Sequence, residues 1–125
     1  MKPVQLFDLA AAQARWLSVR QATVAGNVAN ASTPEFVAVD VEPFDKVLAK
    51  TTPAMAATDP RHIGAGAPSP IRTQEFVTDV PVKPSGNTVV LEQELMKAGE
   101  VRRAFEMNTA IVKAFHRMMM SATRG

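Results

Sequence analysis

The sequence has no cysteine and no tyrosine, one tryptophan and only two histidines. Without cysteine the chain can form neither a disulfide framework nor a thiolate nucleophile, which is compatible with any compartment. His62 and His116 lie far apart in the sequence, and the side chains at helical spacing from His116 are apolar, so no metal site is expected. The serines have no identifiable base partner, and no glycine-rich loop follows a strand. We therefore expect no enzyme and no cofactor.

Charge of one sign and long apolar runs are also scarce. The formal net charge is only +2, and the most basic stretch, which includes Arg102, Arg103 and Lys113, is interpreted as a solvated helix face. A nucleic-acid partner would require a denser basic surface and is not expected. No uncharged apolar run is long enough for a transmembrane helix. Asp8 and Arg15 interrupt the first apolar run, so we expect no cleaved signal peptide.

Two long amphipathic segments lie near the two ends of the chain. Residues 4–31 and 88–121 both place apolar or small side chains three or four positions apart, and the second does so over about four heptads. We predict a mainly α fold, in which long N- and C-terminal amphipathic helices form an antiparallel, coiled-coil-like pair. The core unit then comprises residues 1–34 and 87–125, with residues 35–86 as an arm. The predicted assembly interface consists of Leu6, Ala10, Leu17, Val24, Val28, Leu91, Leu95, Val101, Phe105, Val112, Phe115 and Met119.

The arm is proline-rich, irregular and only weakly β. Residues 35–86 hold seven of the nine prolines. Alternating valines predict a short strand over residues 36–42, and a second weak strand is predicted over residues 71–82. Between these strands, residues 43–49 are long enough for one or two helical turns. Residues 51–70 have almost no large apolar side chain, so a mobile loop is expected there.

The first helix is predicted to end in a motif of the form Asn-x-Ala-Asn-x-x-Thr-Pro, followed after one residue by an aromatic. Thr33 precedes Pro34 and is pushed out of the helical region, so the helix should end near residues 30–32. An ordinary helix stop is one interpretation. The motif also resembles the signature of the bacterial flagellar axial proteins, in which Gly usually stands at the position of Glu35. A left-handed conformation is not expected for Glu35. The matching residues are Asn27, Ala29, Asn30, Thr33, Pro34 and Phe36.

A second motif opens the C-terminal segment. Residues 86–95 read GNTVVLEQEL, which resembles the start of the C-terminal helix in the proximal rod subunits of the same family. This chain has Val90 where the family favours Asp. Asn87 or Thr88 is predicted to cap the second helix, and Glu94 is predicted to favour its positive end.

The resemblance implies a structural subunit of the flagellar basal-body rod, which packs its terminal helices with copies of itself and other rod subunits into a helical tube. It further implies the inner-membrane ring, its rod adaptor and the type III export gate as partners, and a periplasmic site reached without a cleaved signal peptide. Phe44 and Leu48 resemble the Phe-x-x-x-apolar element by which early export substrates engage the gate. The alternative is that Phe44 is simply anchored against the helices.

Two other functions fit parts of the sequence. A small coiled-coil adaptor or export chaperone would use the same amphipathic helices, but it has no need of the Asn-x-Ala-Asn-x-x-Thr-Pro motif. A membrane-surface or nucleic-acid binder would show salt-dependent binding to anionic vesicles or DNA. Both apolar tracks are wider than a two-helix seam requires, so we expect other subunits to supply the missing surface.

Overall fold

The computed structural model describes residues 3–50, 70–77 and 79–125. Along the chain these residues form α1 (Pro3–Ala29), β1 (Val39–Val41), α2 (Phe44–Ala49), β2 (Thr73–Glu75) and α3 (Leu91–Arg124). The predicted mainly α fold with long terminal helices is confirmed. The predicted mobile loop lies, apart from its last residue, outside the described residues, and the division into core unit and arm remains a prediction.

The two long helices pack side by side in opposite directions. Near the start of α1, the ring of Phe7 lies 5.7 Å from that of Phe115 in an edge-to-face arrangement. Further along, Asn108 donates to the carbonyl oxygen of Ala10 at 3.0 Å, and near the end of α1 Asn27 reaches Glu94. Successive residues of α1 thus meet successively earlier residues of α3, as in an antiparallel coiled-coil pair.

The arm contributes a small antiparallel ribbon. Its register pairs Val39 with Glu75 and Val41 with Thr73, and a further backbone bond from Phe76 to Ala38 extends it. Both strands are shorter than predicted, since the regular pairing covers three residues of each. The helical turns predicted over residues 43–49 are present as α2.

The buried interior lies between α1, α3 and the ribbon, and it is partly polar. Its apolar members are Leu17, Val24, Ala38, Val41, Val89 and Val101. Among the described residues, five polar or charged ones are buried with them: Asn27, Glu42, Asn87, Glu94 and Lys97. None of the described helices has the length and apolar character that crossing a membrane would require.

Candidate assembly junction

Asn27 joins the last turns of α1 to the ribbon. Its side chain is fully buried. Its amide nitrogen donates to the carbonyl oxygen of Val39 at 2.7 Å, and the Val39 N–H donates back to its amide oxygen at 3.1 Å. Ala38 and Glu42 direct backbone groups toward the second strand, so the alternation of a strand turns those of Val39 to the opposite edge. The Asn27 carboxamide therefore pairs with this edge of β1 as a neighbouring strand would.

Asn87 joins the segment before α3 to the turn after α1. Its amide nitrogen donates to the carbonyl oxygens of Asn30 and Thr33 at 2.8 and 2.7 Å, and its amide oxygen accepts from the N–H of Val89 at 2.8 Å. It is as buried as the apolar core. Both carbonyls belong to the turn that follows α1, so Asn87 fixes this turn to the segment before α3.

Thr88 joins the same segment to the start of the arm. Its hydroxyl oxygen accepts from the N–H of Ala38 at 2.8 Å, and its own N–H donates to the carbonyl oxygen of Phe36 at 3.0 Å. The predicted cap of the second helix at Asn87 or Thr88 was therefore wrong, since both side chains are used elsewhere. The helix begins at Leu91, and Val90 occupies the cap position without a side-chain bond.

The turn between α1 and the ribbon is tight. Asn30 donates to the carbonyl oxygen of Gly26 at 2.9 Å and accepts from the Thr33 hydroxyl at 3.1 Å. Glu35 follows with a φ of 59°, so the expectation that it avoids the left-handed region was wrong. Its N–H donates to the carbonyl oxygen of Ser85 at 2.8 Å, and this bond fixes the unfavoured conformation. We call the bonded set of Asn27, Asn30, Thr33, Phe36, Asn87 and Thr88 the junction.

An ion cluster adjoins the junction, and it is buried at Glu94 and Lys97. Lys97 lies 3.2 Å from a carboxylate oxygen of Glu94 and 3.4 Å from one of Asp40. Arg20 lies 3.4 Å from the other oxygen of Asp40 and 3.2 Å from Glu100. The second carboxylate oxygen of Glu94 accepts from the Asn27 amide at 3.1 Å. The ion cluster thus comprises Arg20, Asp40, Glu94, Lys97 and Glu100, and it ties α1, β1 and α3 together.

The ammonium of Lys97 also lies 3.5 Å from the centroid of the Phe76 ring. A cation over an aromatic face is attracted by the ring, so Lys97 holds the residue that follows β2 as well. Within the described residues, every buried side-chain nitrogen and oxygen has a hydrogen-bond partner. A satisfied polar network in a small core specifies its geometry more strictly than apolar contacts do.

Trp16 anchors the other end of the ribbon. Its ring N–H donates to the carbonyl oxygen of Glu42 at 2.8 Å, and its ring lies 5.8 Å from that of Phe44. Phe44 therefore packs against Trp16 of α1, while Leu48 is partly exposed. The hydrogen-bonded ammonium of Lys50 lowers the pKa of the Glu42 carboxyl below its ordinary value of 4.5.

The predicted interface residues fall into three groups. Leu17, Val24 and Val101 are fully buried inside the single chain. Val28, Leu91 and Leu95 are exposed. The remaining six are half-buried along the seam between the helices: Leu6, Ala10, Phe105, Val112, Phe115 and Met119. Their role in contacts between subunits stays a prediction.

Sequence reasoning missed the ion cluster, although one signal for it was present. Glu94 was interpreted only as a favourable charge near a helix start. It lies seven residues before Val101 and fourteen before Asn108, which places all three on the same face of α3. A carboxylate on the apolar seam requires a buried partner, and the heptad spacing would have shown that need.

The fold and the junction define a mainly helical structural subunit whose terminal helices close on each other. Among the described residues no cluster of His, Asp or Glu could hold a metal ion. No family model matches the chain. The protein named flagellar basal body rod protein FlgB in Agrobacterium fabrum is 44% identical over 129 aligned positions, which cover 99% of this chain and 96% of that relative. The protein of the same name in Cereibacter sphaeroides is 32% identical over 110 positions, which cover 85% of this chain and 84% of that relative.

The chain accordingly belongs to the FlgB family of flagellar basal body rod proteins. This confirms the resemblance to the axial proteins and, within them, to the proximal rod subunits. It also confirms a structural role in the rod, and the alternative of a small adaptor or export chaperone is not favoured.

Proposed function

We propose that this chain builds the base of the flagellar rod as a helical tube, by packing its terminal helices against those of neighbouring copies and other rod subunits. The observation that carries this proposal is an apolar stripe on α3 that remains exposed. Met107, Ile111 and Met118 expose 62%, 49% and 61% of their surface. Their spacing of four and seven residues places them on one face. We call these three residues the outer stripe.

The outer stripe is separate from the seam that α1 covers. At 100° per residue the outer stripe lies roughly 80° around α3 from the line of Val101, Asn108 and Phe115. The seam is satisfied inside the chain, so the outer stripe is surface left over after the single chain has folded. Large exposed apolar stripes of this kind mark contacts with other proteins, and methionine side chains adapt to partners of different shape.

The outward face of α1 offers a complementary surface. It is lined by small exposed side chains, which let another helix approach closely. They are Ala11, Ser18, Ala22, Ala25 and Ala29. A contact between the outer stripe of one copy and this face of the next would join two different surfaces. Contacts of that type repeat from copy to copy and generate rings or helical filaments.

The remaining partners and the location are part of the same proposal, which family membership and the sequence support. In this proposal the chain passes the type III export gate without a cleaved signal peptide and assembles in the periplasm, next to the inner-membrane ring and its rod adaptor. Phe44 and Leu48 are the proposed contacts with the gate. The role is structural and not catalytic, and the chain binds no nucleic acid.

The outer stripe is tested by fractionation of basal bodies. Met118→Glu should secrete normally but be lost from detergent-resistant basal bodies, because the new charge would be buried in the subunit contact. The matched control is Met120→Glu, which places the same charge two residues further on, on the opposite side of α3. Equal incorporation of the two variants would refute the stripe as a subunit interface.

The export-gate contact needs a separate control, because Phe44 also packs against Trp16. Phe44→Ala with Leu48→Ala should lower secretion while the intracellular level stays intact. Trp16→Ala removes the same ring contact from the other side and leaves the Phe-x-x-x-apolar element in place, so it should secrete normally. If Trp16→Ala lowered secretion by the same amount, the defect of the double variant would be due to lost packing, and the proposed gate contact would be refuted.

A further inference from the structure

The apolar seam between α1 and α3 does not by itself define one alignment. Along α1, Ala10, Leu17 and Val24 recur every seven residues, as do Val101 and Phe115 with Asn108 between them on α3. Sliding one helix by a heptad would again place apolar side chains opposite apolar side chains. Such repeats specify register weakly unless polar residues interrupt them.

Polar residues do interrupt the seam, and they are matched. Gln13, Arg20 and Asn27 are also seven residues apart on α1. Gln13 accepts from Asn108 at 3.0 Å, and Asn27 donates to Glu94 at 3.1 Å. A slip of one heptad would place Asn27 against Val101 and leave the Glu94 carboxylate without its amide donor. Burying such unpaired groups is costly, whereas the apolar contacts would change little.

The ion cluster also fixes the position of the ribbon relative to the two helices. Asp40 of β1 contacts Lys97 of α3 and Arg20 of α1, so both helices must stand at the observed height for its two ion pairs to form. Lys97 also lies over the Phe76 ring. A slip of α3 by one heptad would carry Lys97 roughly 10 Å along the helix axis, away from Asp40 and the Phe76 ring.

We propose that the ion cluster is a register lock, which selects one alignment of α1, α3 and the ribbon and contributes little net stability. Buried ion pairs often add little stability compared with apolar residues of similar size, because desolvation offsets their attraction. The lock acts within the single chain and does not depend on assembly into a rod.

Engineered cysteine pairs test the lock, since the chain has no cysteine of its own. Phe7→Cys with Phe115→Cys reports the observed alignment, because the two rings are in contact. Phe7→Cys with Ala122→Cys reports a slip of one heptad. Each pair is oxidised in the dilute purified full chain, and the yield of intrachain disulfide is measured.

The lock is removed by Glu94→Leu with Lys97→Met, which replaces a buried ion pair by apolar side chains of similar size. The ratio of slipped to native disulfide should rise by about tenfold or more, while the thermal midpoint stays within about 5 °C. The control is Glu106→Leu with Arg102→Met, an exposed ion pair on the same helix, which should leave the ratio unchanged.

Three outcomes would overturn the proposal. One is an unchanged ratio in a folded Glu94→Leu, Lys97→Met chain. Another is loss of folding in that variant, which would assign the cluster to stability instead of alignment. The third is equal yield of both pairs in the chain with an intact cluster. Arg20→Met with Glu100→Leu alters the more exposed side of the cluster, and it should raise the ratio by a smaller factor.

Discussion

Replacing Asn27 by alanine measures how much of the fold depends on one side chain of the junction. The substitution removes two bonds to the Val39 backbone and one to Glu94. It leaves the N–H and the carbonyl of Val39, both partly buried, without these partners. Glu94 keeps its ion pair with Lys97, so losing its bond to Asn27 costs less than losing the two bonds to Val39. At about 1–3 kcal/mol for each unsatisfied group, the free energy of unfolding should fall by about 3–5 kcal/mol. For a chain of this size that is a drop of roughly 10–20 °C in the thermal midpoint.

Thermal unfolding followed by far-UV circular dichroism checks this expectation. The matched control is Asn30→Ala, because the Asn30 amide bonds only within its own turn and is more exposed; its loss should cost about 1 kcal/mol. Asn27→Asp keeps the shape but places a second carboxylate beside Glu94, so it should destabilise at least as much as alanine. If Asn27→Ala lowered the thermal midpoint no more than Asn30→Ala, the Asn27 carboxamide would not act as the missing strand partner of Val39.

Three further changes test the surroundings of the junction. Gly86→Ala should lower the free energy of unfolding by about 1–2 kcal/mol, because Gly86 has a φ of +77° and a Cβ there would lie 3.2 Å from the Glu35 side chain; an unchanged denaturant midpoint would contradict this. Val90→Asp should raise it by about 0.5–1 kcal/mol, since the cap position of α3 has no side-chain bond; the same titration measures it. Lys50→Met should remove the stabilisation that comes from the lowered pKa of Glu42. That contribution is present above pH 4.5 and is lost as the pH falls through the lowered pKa, so the difference between the two chains should vanish in acid; a difference that persisted there would have another cause.

The long helices could be predicted from the sequence because their cause is local and repeated. Apolar side chains three or four positions apart define a helix face in any surroundings. The observed α1 and α3 accordingly lie within a few residues of the predicted segments. Val28, Leu91 and Leu95 follow the same spacing and are nevertheless exposed. Periodicity locates a face but cannot show whether the chain itself or another molecule covers it.

The junction could be predicted as a motif but not as a set of bonds. An Asn or Thr before a helix can cap that helix or bond a distant segment, and the sequence does not distinguish the two. Asn87 and Thr88 bond distant segments, because the end of α1 and the start of the arm lie beside them. The backbone conformation of Glu35 could not be predicted for the same reason. Its hydrogen bond to Ser85 accompanies a left-handed conformation, which a residue other than glycine ordinarily avoids.

The positions of these bonds separate the helix pair from the arm. The chain leaves the helix pair at Phe36 and returns at Ser85 to Thr88, and backbone bonds join the two crossing points: Glu35 to Ser85, and Thr88 to Phe36. Whatever path the residues between them take, both ends of the arm are fixed at one place. The ion cluster then adds Asp40 and Phe76 to the same anchor. The junction therefore fixes where the chain leaves and re-enters the helix pair, and the ion cluster selects the alignment of α1 with α3, so changes in the arm beyond these bonds should leave the helix faces in place.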